Sequence, residues 1–231
     1  MNRGSLLVFR DSLGATSDRI PNMPIKAVIF DLDGTITQPF FDFDTIRREM
    51  GYPVDAGPIL ELMEKMTQQQ REAAERILQA HEEKAVAEST LNPGARETLE
   101  ELRKRKILIG ILTRNKKENA FAVAEKHGLK FDAVVGREEG PVKPDAFGVL
   151  YLCEKFAIMP QESLVVGDYL FDLLCARAAK AIPVLLKNHR KADEFAKYAD
   201  FVIENIADLL KIIDNKEVSP QSSQRTLRKN K

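Results

Sequence analysis

Six short runs of apolar, often β-branched residues recur along the chain, at 27–30, 107–112, 133–135, 164–166, 182–186 and 201–203. Each is continuous rather than alternating, which is the pattern of a strand buried on both faces. Between them apolar residues return at helical spacing. Leu99 and Leu102 give one stripe; Ala120, Phe121, Val123 and Ala124 give another, which stops at Gly128. Residues 145–156, a stretch ending at Lys180 and a last one ending at Ile213 read the same way. Asn92 stands where an N-cap would, with Pro93 at the first helical position, and Asn115 with Glu118 has the form of a capping box. Pro183 puts its strand at an edge or marks a strand start. Strands alternating with helices predict an α/β fold with a doubly wound parallel sheet.

The interval between Phe30 and Ile107 breaks that rhythm. A parallel crossover needs only about a dozen residues, so something is inserted. Phe43, Ile46 and Met50 keep helical spacing until Gly51-Tyr52-Pro53. Ile59, Leu60, Leu62, Met63 and Met66 form a second helical stripe. Thr67 and Gln70 look like a capping box opening a third, with Ala74, Ile77, Leu78 and Ala85 on its apolar side. The expected organisation is an α/β core, 25–37 with 92–214, interrupted by an all-helical cap at 38–91. Residues 1–24 match no core element and read as an N-terminal extension, and the polar, aperiodic 215–231 read as a disordered tail.

Composition narrows the class. Lys+Arg and Asp+Glu are each 35, so the net charge is zero, which argues against a nucleic-acid partner. No apolar run has the 18 or so residues needed to span a bilayer, so no membrane partner is expected. The two cysteines, Cys153 and Cys175, fall in apolar helical patterns. Buried free thiols suit a reducing compartment, and the cytoplasm is the expectation. Leu6–Phe9 is too short for a secretory signal. Arginines and serines in residues 1–23 faintly suggest organellar targeting, against which stand Asp11 and Asp18.

Candidate chemistry lies where the strands stop. Asp31 and Asp33 follow the first run, and an extended backbone points residues two apart to the same side. Like charges that close need a cation, a shared proton, or both. Mg²⁺ is the simplest answer, since it accepts a few carboxylates together with phosphate oxygens and water. The second run leads into Thr113-Arg114-Asn115, where a hydroxyl and helix N-terminal amides can hold a phosphate oxygen. The third leads to Lys143-Pro144, and the fourth ends in Gly167-Asp168 with Asp172 four residues on. Singly these are ordinary: an acidic loop, a cap, a solvated lysine, another cap. Arriving in this order at one sheet edge, they compose a phosphoryl-transfer site.

Asp31-x-Asp33-Gly34-Thr35, Thr113, Lys143-Pro144 and Gly167-Asp168-x-x-x-Asp172 together resemble the four ordered motifs of the haloacid dehalogenase superfamily, over about 25–213. The helical insert after the first motif is similar to the cap of its phosphoglycolate phosphatase-like members. The resemblance implies that Asp31 is the nucleophile and that Asp33 is the general acid and base. It implies a Mg²⁺ cofactor on Asp31, Asp33 (through its carbonyl), Asp168 and Asp172. It also implies that Gly34, Thr113, Arg114, Asn115 and Lys143 bind a small-molecule phosphate ester, and that Thr113 and Lys143 act in catalysis by stabilising the transferring phosphoryl group. Metal-free dehalogenases lack the second aspartate, which Asp33 supplies here. A phosphomutase uses the same residues, and a non-catalytic phospho-ligand-binding protein is the reading from another class. One departure lies at the hinge, where many relatives carry Asp-Ser or Asp-Thr and this chain reads Ile36-Thr37-Gln38-Pro39. His81, His127 and His189 lack metal-ligand spacing, and Arg47 and Arg48 read as a solvated helix face.

Overall fold

A computed structural model describes residues 23–217. The expected N-terminal extension and polar tail lie outside the described residues, except for residues 23–24 and 215–217.

The six runs form strands β1 (Ala27–Phe30), β2 (Leu108–Leu112), β3 (Ala133–Val135), β4 (Ser163–Gly167), β5 (Ile182–Leu186) and β6 (Phe201–Ile203). They make one parallel sheet in the order β3-β2-β1-β4-β5-β6. Winding runs one way from β1 and the other way from β4, so the crevice beyond the carboxyl ends of these two strands is the switch point where ligands bind in such sheets. In β1 the two-residue alternation sends Val28 and Phe30 to one face and Ile29 to the other. The first face packs on α4 (Ala95–Lys104), α5 (Lys117–His127) and α9 (Leu209–Glu217) through Leu102, Val123 and Ile212. Leu152 of α6 (Phe147–Lys155) and Ala176 of α7 (Leu170–Ala179) cover the second. Because both faces are covered, the strands are apolar throughout.

The insert carries α1 (Phe43–Glu49), α2 (Ile59–Glu64) and α3 (Gln68–Glu88). These helices bury a cluster of their own: Ile46, Ile59, Met63, Ala74 and Leu78. The capping box at Thr67 and Gln70 is present. The chain leaves and returns side by side, since Thr37 and Leu91 form an antiparallel bridge.

Four local expectations are corrected. Asn92 does not cap α4, whose N-cap is Gly94 at φ 78°. Its side-chain amide donates instead to the carbonyls of Gly34 (3.1 Å), Thr35 (2.7 Å) and Thr37 (3.0 Å), satisfying a turn that makes no ladder. Asn115 does not cap α5 either; that helix starts after Lys116. Pro183 is on an interior strand, at its second residue, and its carbonyl accepts from the Asp200 amide. Helix α9 runs past Ile213 to Glu217. Cys153 and Cys175 are buried free thiols, as their positions predicted. No helix among the described residues is long and apolar enough to cross a membrane.

Candidate active site

Asp31 is the first residue past β1, and its amide donates to the Val166 carbonyl, which fixes it beside the end of β4. The chain then turns: the amides of Thr35, Ile36 and Thr37 all point at the Leu32 carbonyl. Gly34 sits in this turn at φ 92°, and a Cβ there would lie 2.6 Å from the Asp168 carboxylate. No L side chain suits that backbone or that space. Asp168 follows β4 directly, and Asp172 is in the first turn of α7, where it accepts from the Tyr169 amide at 3.1 Å. At Gly167 a Cβ would run into the Asp172 side chain at 2.1 Å. Two glycines thus let two carboxylates close in on the β1 end.

Lys143 enters from the loop between β3 and α6. Its buried Nζ lies 2.5 Å from Asp31 Oδ1 and 2.6 Å from Asp172 Oδ1. Carboxylate oxygens of Asp31, Asp168 and Asp172 lie within 4.8 Å of one another. Thr113 is buried past β2, its amide on the Val135 carbonyl and its hydroxyl accepting from the Asn115 amide at 3.0 Å.

Three buried carboxylates around the Lys143 ammonium leave an excess of negative charge among the described residues. Burial pushes the Asp31 carboxyl well up; Lys143 opposes this, and Asp172, Asp168 and Asp33 add to it. Burial and Asp172 push Asp168 up to about 7. Burial disfavours the Lys143 ammonium, but Asp172 and Asp31 outweigh it and hold its proton more tightly than usual. A hard, all-oxygen donor set with surplus charge fits Mg²⁺.

Asp33 does not join that carboxylate group. The chain is already turning at Leu32, so the extended alternation assumed for Asp31 and Asp33 does not govern. Its Oδ2 accepts from Asn115 Nδ2 at 3.4 Å. Burial raises the Asp33 carboxyl to about 6, with Asn115 pulling it down and Glu82 pushing it up.

Arg114, expected to contact the phosphate, is engaged between the core and the insert. One guanidinium nitrogen donates to the Lys143 carbonyl and another reaches Glu61 of α2 at 2.6 Å, with Phe171 beneath the plane at 4.9 Å. Both nitrogens are engaged, and the side chain bridges core and insert. Arg47 likewise is no solvated residue: it bonds Asp44 and the Gly57 carbonyl. His81 pairs with Glu49 and His127 with Ser89.

Several residues at the seam carried no motif. Glu82 of α3 is 3 % exposed and pairs with Arg137. Lys126 ends α3 by donating to the carbonyls of Val86, Ala87 and Ser89. Asn188 reaches the Gly34 carbonyl at 2.7 Å. For Glu82 a signal existed: it falls on the stripe Ala74, Leu78, Ala85, a charge on a buried face.

A profile of haloacid dehalogenase-like hydrolases matches residues 41–185. An uncharacterised hydrolase of Saccharomyces cerevisiae is 30% identical over 201 residues, covering 83% of this chain and 92% of its own. A phosphoglycolate phosphatase of Chromobacterium violaceum is 30% identical over 218 residues, covering 83% and 97%. The structure of a hydrolase from Pseudomonas syringae gives a TM-score of 0.71 at 26% identity, over 82% of this chain and 98% of that one. A β-phosphoglucomutase from Clostridium difficile gives 0.68 at 21% identity over 83% and 96%, a likeness of fold.

Proposed function

This chain belongs to the haloacid dehalogenase-like hydrolases, and on that premise we propose that it is a Mg²⁺-dependent phosphatase of small phosphomonoesters. The observation that carries the reading is the meeting of Asp31, Lys143, Asp168 and Asp172 at the switch point of the sheet.

Asp31 attacks the substrate phosphorus; the P–O bond to the alcohol breaks and an aspartyl-phosphate forms. Attack requires the carboxylate form, which burial opposes and Lys143 favours. Asp33 gives its proton to the leaving alcohol. It then takes one from the water that attacks the aspartyl-phosphate, which releases phosphate and restores Asp31. A carboxyl near 6 is suited to give and take a proton close to neutrality. Lys143 and Thr113 face the transferring oxygens, where fixed charge and a hydroxyl stabilise the developing negative charge. Mg²⁺ on Asp31, Asp168, Asp172 and the Asp33 carbonyl would neutralise phosphoryl charge as the oxygens approach the carboxylates.

The helical insert, 38–91, acts as a cap that excludes bulk water, and its seam with the core sets the size of substrate admitted. The relative named phosphoglycolate phosphatase makes small anionic phosphoesters the first class to screen.

The test is phosphate release from a generic aryl phosphate. Turnover with Mg²⁺, abolished by EDTA, is the expected result. Turnover that survives EDTA overturns the metal assignment. Conversion of a sugar phosphate to an isomer without free phosphate points to a mutase, and no turnover of any ester to a binding role.

A further inference from the structure

A chain of side-chain hydrogen bonds runs from the insert to Asp33. Asn119, on the first turns of α5, donates through its amide nitrogen to two acceptors: Glu82 Oε2 on α3 at 3.3 Å and Asn115 Oδ1 at 2.7 Å. Asn115, itself buried, donates in turn to Asp33 Oδ2 at 3.4 Å. Its Oδ1 also accepts from the Lys116 amide at 2.7 Å, which fixes which end of the Asn115 amide points to Asp33. With the oxygen committed on one side, only the Nδ2 group remains to face the carboxylate. Glu82 is held from behind by both terminal nitrogens of Arg137.

We propose that Asn119 and Glu82 are positioning residues that couple docking of the helical insert to the orientation of the Asp33 carboxyl, through Asn115. When α3 is seated, Glu82 occupies one Asn119 proton and the other is directed at Asn115. When α3 lifts, Asn119 loses that acceptor and is free to rotate, and Asn115 keeps only the Lys116 amide as a fixed partner on its oxygen. Asp33 is then aimed at the leaving oxygen only with the insert seated over the substrate. Transfer of phosphate to water from an open site is thereby disfavoured, because the proton is delivered poorly until the cover is in place. The inference rests on the acid role proposed for Asp33.

The experiment compares kcat/KM of wild type and Asn119→Leu, a near-isostere with no donor, on two esters. One is an alkyl phosphate, whose leaving alkoxide needs a proton; the other is p-nitrophenyl phosphate, whose leaving group does not. The parameter kcat/KM reports the first phosphoryl transfer, where Asp33 acts as the acid. The expected result is a loss of roughly tenfold on the alkyl ester, a fraction of what general acid catalysis supplies, and a clearly smaller loss on the aryl ester. Asn119→Ala gives the same pattern should the leucine variant not fold. Adding Glu82→Met to Asn119→Leu lowers the alkyl rate little further, since both break one chain. Equal losses on the two esters, or none, overturn the coupling while leaving the phosphatase reading intact. A wild type inactive on both esters overturns the phosphatase reading and the coupling with it.

Discussion

The buried charges at the seam and at the end of β1 and β4 are built on opposite principles. At the seam, Glu82 meets the Arg137 guanidinium with two nitrogens on one carboxylate, and the charges cancel. Burial still raises the Glu82 carboxyl, with Arg137 opposing. At the β1–β4 end, Lys143 meets Asp31 and Asp172, while among the described residues Asp168 has no ammonium of its own to balance it. A balanced pair can be exchanged for apolar residues with little loss, whereas a surplus of buried carboxylates is kept only where something else binds. The seam is therefore read as a latch, and the strand-end cluster as a site.

The largest effect that separates them is on turnover. Asp31→Asn replaces the attacking carboxylate with a non-nucleophilic amide and abolishes phosphate release, and it leaves the chain folded because it relieves charge in the cluster. Hydrolysis at the wild-type rate by a folded Asp31→Asn protein would sink the nucleophile assignment. Next comes the loss of each cluster's cation. In metal-free protein, Lys143→Met strands three carboxylates and costs about 3–5 kcal/mol in urea unfolding. Arg137→Met strands only Glu82, at a place where α3 can lift and admit water, so its cost is about 1–3 kcal/mol. Equal costs would erase the distinction drawn between the clusters.

The smallest effect is on pH dependence. Asp168 titrates at about 7 in the folded chain against an ordinary 3.8, so the fold holds a proton that the unfolded chain gives up between those values. Stability from this group is complete below about pH 4 and is lost as pH rises through 7. Metal-free protein should thus melt at a lower temperature at pH 7.5 than at pH 5.5. Adding Mg²⁺ should raise the melting temperature more at pH 7.5, because binding at pH 5.5 must first displace protons. A melting temperature insensitive to both would show that the surplus charge is not there.

Much of this was legible from the chain alone. Continuous apolar runs specify strands because a two-sided parallel sheet leaves no solvent face, and the long gap after Phe30 announced the insert. Asp31, Lys143, Asp168 and Asp172 were named from their places after successive runs, and the sheet brings them together because parallel strands deliver all their carboxyl ends to one edge. Local chemistry was less legible, and the caps expected at Asn92 and Asn115 are not made. Asn92, Asn115 and Arg114 are residue types with ready local uses, a cap or an anion contact. Each is drawn to a partner distant in sequence: turn carbonyls at 34–37, the Asp33 carboxylate and Glu61. What periodicity determined was which residues are inside and in what order the strand ends offer their chemistry. Which buried polar group bonds which, and so how the insert reaches Asp33, was decided only when the tertiary fold brought α2 and α3 against the sheet edge. Backbone pattern is a property of neighbours, but satisfying a buried donor depends on whatever the fold places within about 3 Å of it.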